Sequence, residues 1–207
     1  MDVIDNHRFT LQVIRQAFAN PIIPNCTEDQ FIYTEFERKE KPAGVLMPLI
    51  AVDGNYHFLF TRRTELVAEH RGQVSFPGGA WEAGDADLTQ TAKRETWEEL
   101  GISPNQVEVL GSLQPRSLIS GYRVTPVIGY IQAPLRLQVH PQEVARAFSI
   151  PLDWLAEPQN RYLETRRIDG QDYEVVFFQP YEGEVLWGAT AGMVVDFLQA
   201  VEENFTR

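Results

Sequence analysis

Apolar residues along this chain switch between a helical and an alternating period, and the switches mark out its elements. From about Phe9 to Ala19, Leu11, Val13, Ile14, Ala17 and Phe18 fall at helical spacing, and Pro21 and Pro24 stop the run, so a short helix is predicted. Val45 to Val52 and Tyr56 to Thr61 are strand-like runs on either side of Asp53-Gly54-Asn55, a hairpin signal. Val107 to Leu113 and Val124 to Ile131, rich in Val and Ile, predict two more strands, with Gly121 breaking the connection. Tyr162 to Ile168 and Tyr173 to Phe178 form a second hairpin candidate around Asp169-Gly170-Gln171-Asp172. A final helix is predicted from about Ala189 to Glu203, where Ala189, Met193, Val194, Phe197, Leu198 and Val201 make an apolar stripe that reads as core. Strands combined with substantial helices give an α/β fold.

Another helical run carries the candidate chemistry. Leu88, Ala92, Thr96 and Leu100 recur every four residues, and the same segment holds Glu95, Glu98 and Glu99. On the helical wheel Glu98 lies roughly 60° to one side of Glu95 and Glu99 roughly 40° to the other, so the carboxylates are expected to converge. Like charges at this spacing repel one another. One reading is a solvated acidic face. The other is a site for a hard divalent metal, which carboxylates suit. Glu99 falls among the apolar positions of the helix, and an acid on the packed side is costly unless it is paired or binds metal.

Composition narrows the setting. At 207 residues, with 43% hydrophobic and 23% charged content, the chain suits one ordinary globular domain with terminal additions. No apolar run approaches the roughly 20 residues needed to span a bilayer, and Met1 to Arg8 lacks a secretory pattern, so a soluble, cytoplasmic protein without a membrane role is expected. Cys26 is the single cysteine; it fits a reducing compartment and reads as a structural thiol. A net charge of −11 opposes nucleic-acid binding, but a metal and a few arginines can reverse the field in one cleft for a small anion.

Gly79, Asp85, Arg94-Glu95, Glu98-Glu99 and Gly101-Ile102 stand at a spacing that resembles the Nudix box. Asp85 takes the place of the usual Glu, with one residue fewer before Arg94-Glu95, and both departures resemble the coenzyme A pyrophosphatase branch. So do Leu59-Phe60-Thr61-Arg62-Arg63-Thr64 and Gly72-Gln73-Val74-Ser75-Phe76-Pro77-Gly78-Gly79 upstream, and Trp187-Gly188-Ala189-Thr190-Ala191-Gly192 near the carboxy end. Thr64 stands where the branch usually has Ser or Ala, and Ala68 where it has Arg, with Arg71 close by. The likeness covers most of the chain beyond residue 40.

The resemblance implies a mixed sheet sandwiched between helices, with a helical extension over 1–40 packed on a Nudix hydrolase domain over 41–207. It implies hydrolysis of coenzyme A or a derivative to 3′,5′-ADP and 4′-phosphopantetheine with Mg²⁺ or Mn²⁺. ADP-ribose and other nucleoside diphosphate derivatives are rival small-molecule substrates, and a module that senses a nucleotide without hydrolysis is the rival from another class. Glu95, Glu98 and Glu99 correspond to the metal-binding acids, and Arg94 to a structural arginine that pairs with acids of the box. Asp85 is the acid of the loop, within reach of either Arg94 or metal. Glu143 is the candidate second acid, to complete the metal shell or accept a proton; an exposed loop acid is the alternative, and Glu82 is a weaker competitor. Arg63 and Arg71, with Arg62, are candidate phosphate ligands, against plain strand-edge arginines. Gly78 and Gly79 allow close approach of backbone to ligand or simply a tight turn. Tyr122 is a candidate stacking group, with a core tyrosine as the alternative.

Overall fold

The computed structural model describes residues 8–19, 40–64, 72–132, 134–168 and 170–205. The amino-terminal helix α1 runs from Leu11–Ala17, capped by Thr10, whose side chain accepts from the Val13 N–H. Most of the expected 1–40 extension lies outside the described residues. Ile14 and Phe18 are buried, and the Phe18 ring stacks at 5.4 Å on Phe197 of α4 (Gly188–Phe205).

Strands β1 (Lys41–Val52) and β2 (Asn55–Arg63) form the first hairpin, with Val52 opposite Asn55. Asp53 and Gly54 both have positive φ, 49° and 84°, the backbone of a type I′ turn. Among the described residues the main sheet has eight strands, in the order β3 (Val74–Ser75), β2, β1, β7 (Tyr122–Ile131), β5 (Val107–Ser112). β4 (Gly78–Ala80) pairs with β1, β6 (Arg116–Ser117) with β7, and β8 (Val144–Pro151) with β2. β1 and β7 run parallel and the other pairs antiparallel, so the sheet is mixed. The second predicted hairpin, β9 (Arg161–Ile168) with β10 (Gln171–Phe178), makes a separate two-stranded sheet. Strand β8 was not expected as an element; it lies beside β2 and carries Arg146 toward Glu182 and Glu184.

Alternation in the central strands divides the core in two. Ala43, Met47, Leu49, Phe58 and Phe60 join Met193, Val194, Phe197, Leu198 and Val201 of α4 on one face. Leu46, Ile50 and Leu59 join Ala92 and Leu100 of α2 (Leu88–Leu100) on the other. Helices thus cover both faces, giving the α/β/α sandwich with a mixed sheet. The acidic helix approaches the sheet closely at Gly44, where an added Cβ would collide with the Leu88 carbonyl. The close seat fixes which residues of β1, β2 and β4 face α2.

Candidate active site

Helix α2 begins at Asp87, whose side chain accepts from the Gln90 N–H, and its buried stripe is Leu88, Ala92, Thr96, Glu99 and Leu100. Glu99 is 3% exposed, so the acid on the packed side is desolvated. Burial pushes its pKa up from 4.5 to about 8; Arg63 opposes the shift, Glu95 and Glu143 add to it, and the Gly78 N–H that donates to the carboxylate opposes it weakly. Glu95 is shifted upward too, chiefly by burial, against the hydrogen bond and charge of Arg94. Its carboxylate lies on Gly79, where a Cβ would come within 2.5 Å of Cδ. A side chain there would displace the acid from this position.

The expected convergence of three carboxylates is corrected in one respect. Glu95 and Glu99 turn inward, whereas the Glu98 side chain is 47% exposed, with an oxygen 3.4 Å from Arg94 Nη1. Among the described residues, no three His, Cys, Asp or Glu groups are gathered as a formed metal cluster. Like charges at this spacing repel, and the arginines draw the acids apart: Arg94 pairs with Glu95 and Glu98, and Arg63 faces Glu99.

Asp85 reaches Arg94. The guanidinium donates from Nε and Nη2 to the two carboxylate oxygens at 3.0 Å each, a bidentate pair. Thr91 Oγ1 and the Glu82 N–H also donate to Asp85, at 2.9 and 3.2 Å. Burial alone would raise the Asp85 pKa, but these donors hold it below the usual value. Arg94 further donates to the Ala80 carbonyl and to Glu95. It therefore fastens the loop before α2 to the helix. Glu82 stands 4.0 Å from Arg94 and is mostly exposed.

Arg62 and Arg63, neighbours on β2, face different partners. Arg63 Nη1 lies 3.9 Å from Glu99 Oε1, and Arg63 Nε and Glu99 Oε2 are both buried without a hydrogen-bond partner among the described residues. Arg62 pairs with Glu184 at 3.5 Å, which Arg146 also holds at 3.2 Å, so Arg62 belongs to a network away from the acidic helix. Arg71 and Ala68 lie outside the described residues.

Glu143 comes to the acidic helix from the loop before β8, which is pinned to the end of α2 by His140 N–H to Glu99 carbonyl and Gln138 N–H to Leu100 carbonyl, at 2.9 and 2.8 Å. The side chains of Glu143 and Glu98 line one cleft. Thr64, given no role from sequence, holds the same loop: its N–H donates to the Glu143 carbonyl and its hydroxyl to the Gln142 carbonyl. A polar residue following an arginine on a strand was the only available signal. Tyr122 is not brought to the acids. It packs on the larger core, on the α4 face of the sheet, with Lys41 Nζ 5.8 Å from its ring centre.

With this geometry in place, comparison with known proteins is informative. A family model described as NUDIX domain matches residues 40–167. The chain is 38% identical over 156 residues to a protein of Pectobacterium atrosepticum named uncharacterized Nudix hydrolase NudL, covering 75% of this chain and 80% of that protein. A protein of the same name from Photorhabdus laumondii is 38% identical over 161 residues, covering 77% and 84%. The crystal structure of a MutT/nudix family protein from Enterococcus faecalis superposes with a TM-score of 0.54 at 16% identity, over 84% of this chain and 66% of that one, a likeness of fold.

Proposed function

The chain belongs to the Nudix hydrolase family and is a pyrophosphohydrolase of that family, and from this premise we propose that it cleaves coenzyme A or a derivative to 3′,5′-ADP and 4′-phosphopantetheine with Mg²⁺ or Mn²⁺. The observation that supports the metal requirement is that Glu99 Oε2 and Arg63 Nε are both buried without a hydrogen-bond partner among the described residues, on side chains that approach to 3.9 Å at Arg63 Nη1 and Glu99 Oε1. Four acids, Glu95, Glu98, Glu99 and Glu143, stand near two arginines, one of which is committed to Asp85. This surplus of acids over arginines, carried on oxygen ligands alone, fits a hard divalent cation held by Glu95, Glu98 and Glu99. When bound, such a cation neutralises diphosphate oxygens and makes water easier to deprotonate.

The chain's own residues divide the remaining work. Arg63, on the β2 side of Glu99, offers guanidinium N–H groups to a phosphate, which matches their planar geometry. Gly78 and Gly79 bring backbone close to the acids, and Gly78 N–H orients Glu99. Glu143, at the rim, is placed to accept the proton of the attacking water. Asp85 and Arg94 hold the loop on α2 and touch neither water nor substrate in this scheme.

What supports coenzyme A over other diphosphates is the resemblance of the residues ahead of the box, Arg62-Arg63 and Gly72 to Gly79, to the coenzyme A pyrophosphatase branch. The test is to incubate the pure protein with coenzyme A, ADP-ribose, NADH and dNTPs, each with Mg²⁺ or Mn²⁺, and identify products by chromatography. Coenzyme A should turn over fastest. Much faster turnover of ADP-ribose rejects the substrate, and binding without turnover of any compound favours a sensing module.

A further inference from the structure

Trp97 is the residue the reaction leaves unexplained. It sits in the acidic helix between Thr96 and Glu98, and with 55% of its surface exposed it contributes little to the core. It lies at the side of a shallow, open cleft. Together with Val139 and Pro141 it walls this cleft of about 500 Å³, which Gln138, His140, Glu98 and Glu143 also line. The two walls are fixed relative to each other, because His140 N–H and Gln138 N–H donate to the last carbonyls of α2. A preformed cleft with an aromatic wall, adjoining the acids of the site, has the features of a ligand pocket.

We propose that this cleft binds the adenine ring of the substrate, with Trp97 as its stacking platform; the proposal rests on the diphosphate-cleaving reading above. Indole, proline and valine surfaces suit a flat, uncharged ring, and stacking on an aromatic side chain is a general mode of base binding. Gln138, which also lines the cleft, carries an amide oxygen that can accept from an exocyclic amino group. The diphosphate belongs beside Arg63 and the metal-binding acids. The substrate is thereby given a direction, its base toward Trp97 and its diphosphate toward Glu99. A flexible aliphatic amide arm would gain less from an aromatic wall.

Two measurements on the full-length protein test this. In the first, intrinsic tryptophan fluorescence is titrated with adenosine and, separately, with pantetheine. Adenosine should quench saturably, the quench should vanish in Trp97→Phe, and pantetheine should have little effect. The second is steady-state kinetics on whichever diphosphate the enzyme turns over. Trp97→Ala should raise KM about ten- to hundredfold with kcat little changed, the span expected for losing one base–aromatic stack, and Trp97→Phe should recover most of the affinity. An adenosine quench that survives in Trp97→Phe, stronger quenching by pantetheine, or an unaltered KM in Trp97→Ala would each overturn the assignment. If no diphosphate is hydrolysed, the proposed function fails, and the adenosine titration still decides the cleft.

Discussion

Arg94 stands on the acidic helix and Arg63 faces it from β2, yet one sits in a completed network and the other in an unfinished one. Arg94 makes two 3.0 Å bonds to Asp85, and Thr91 and the Glu82 N–H fill the remaining positions on that carboxylate. Arg63 stands 3.9 Å from Glu99, with a buried N–H and a buried carboxylate oxygen each lacking a partner among the described residues. Buried polar groups are ordinarily satisfied, because an unmade hydrogen bond costs about 1–3 kcal/mol. A complete network accounts for itself as architecture. An incomplete one at the same helix is where the proposed metal and diphosphate would supply the missing partners.

The largest effects should come from breaking the unfinished side. Glu99→Gln keeps the shape of the side chain and removes its charge, so turnover should fall by orders of magnitude while circular dichroism and the unfolding transition stay native-like. Glu98→Gln should lose comparable activity, although Glu98 is half-exposed. Near-normal turnover in either variant removes that acid from the metal site. The converse is expected of Arg94→Ala, which leaves Asp85 buried and unpaired: a loss of about 3 kcal/mol in urea unfolding. A loss below about 1 kcal/mol would class the pair with ordinary surface ion pairs and end the contrast.

What the sequence revealed follows the same division. Glu99 could be read as buried, because Leu88, Ala92, Thr96 and Leu100 define a helical stripe that includes it, and burial followed. The outward turn of Glu98 was not legible: wheel positions give directions from the axis, and rotamers answer to neighbours such as Arg94 that lie close only after folding. Arg62 and Arg63 pose a related problem. Adjacent strand residues face opposite sides, so at most one was expected to meet the acids; the branch signature favoured Arg63, and Arg63 is the one that lies 3.9 Å from Glu99. Tyr122 shares its face with Val124 and Ile128, a period-two pattern visible in sequence, but that this face belongs to α4 is a property of the assembled sheet. Strand β8 escaped because Arg146 occupies its middle, and the carboxylates that accept it are more than thirty residues away.

pH separates the two clusters without mutation. Glu99 has a folded-state pKa of about 8 against an ordinary 4.5, so between these values the native protein holds a proton that the unfolded chain has released. Its contribution to the stability of the metal-free protein therefore declines as pH rises from about 4.5 through about 8, and is level above that. Glu95, also shifted upward, acts with the same sign. Asp85 behaves oppositely: its contribution is full at neutral pH and begins to be lost only as pH falls below about 3.8. Thermal unfolding of the metal-free protein should show a decline from pH 5 to 8 that is reduced in Glu99→Gln. Added Mn²⁺ competes with the Glu99 proton, so the shift in Tm at fixed Mn²⁺ should grow across the same interval. A Tm shift independent of pH would mean that the ion binds elsewhere.

The smallest expected effect sharpens the comparison by testing a complete network that serves the incomplete one. Thr64 is 6% exposed, and its hydroxyl donates to the Gln142 carbonyl at 3.0 Å while its N–H donates to the Glu143 carbonyl at 2.9 Å. Thr64→Val is nearly isosteric and leaves the backbone bond in place, so it deletes one hydrogen bond and should cost about 1 kcal/mol of stability. That loss falls on the segment carrying Glu143, and a displaced proton acceptor costs rate more than it costs binding. The expected outcome is a fall in kcat of up to about tenfold with little change in KM, recovered by Thr64→Ser, which restores the hydroxyl. If kcat holds while stability drops, Thr64 is architecture alone, and the Glu143 loop keeps its position through the two bonds from His140 and Gln138 to the end of the acidic helix.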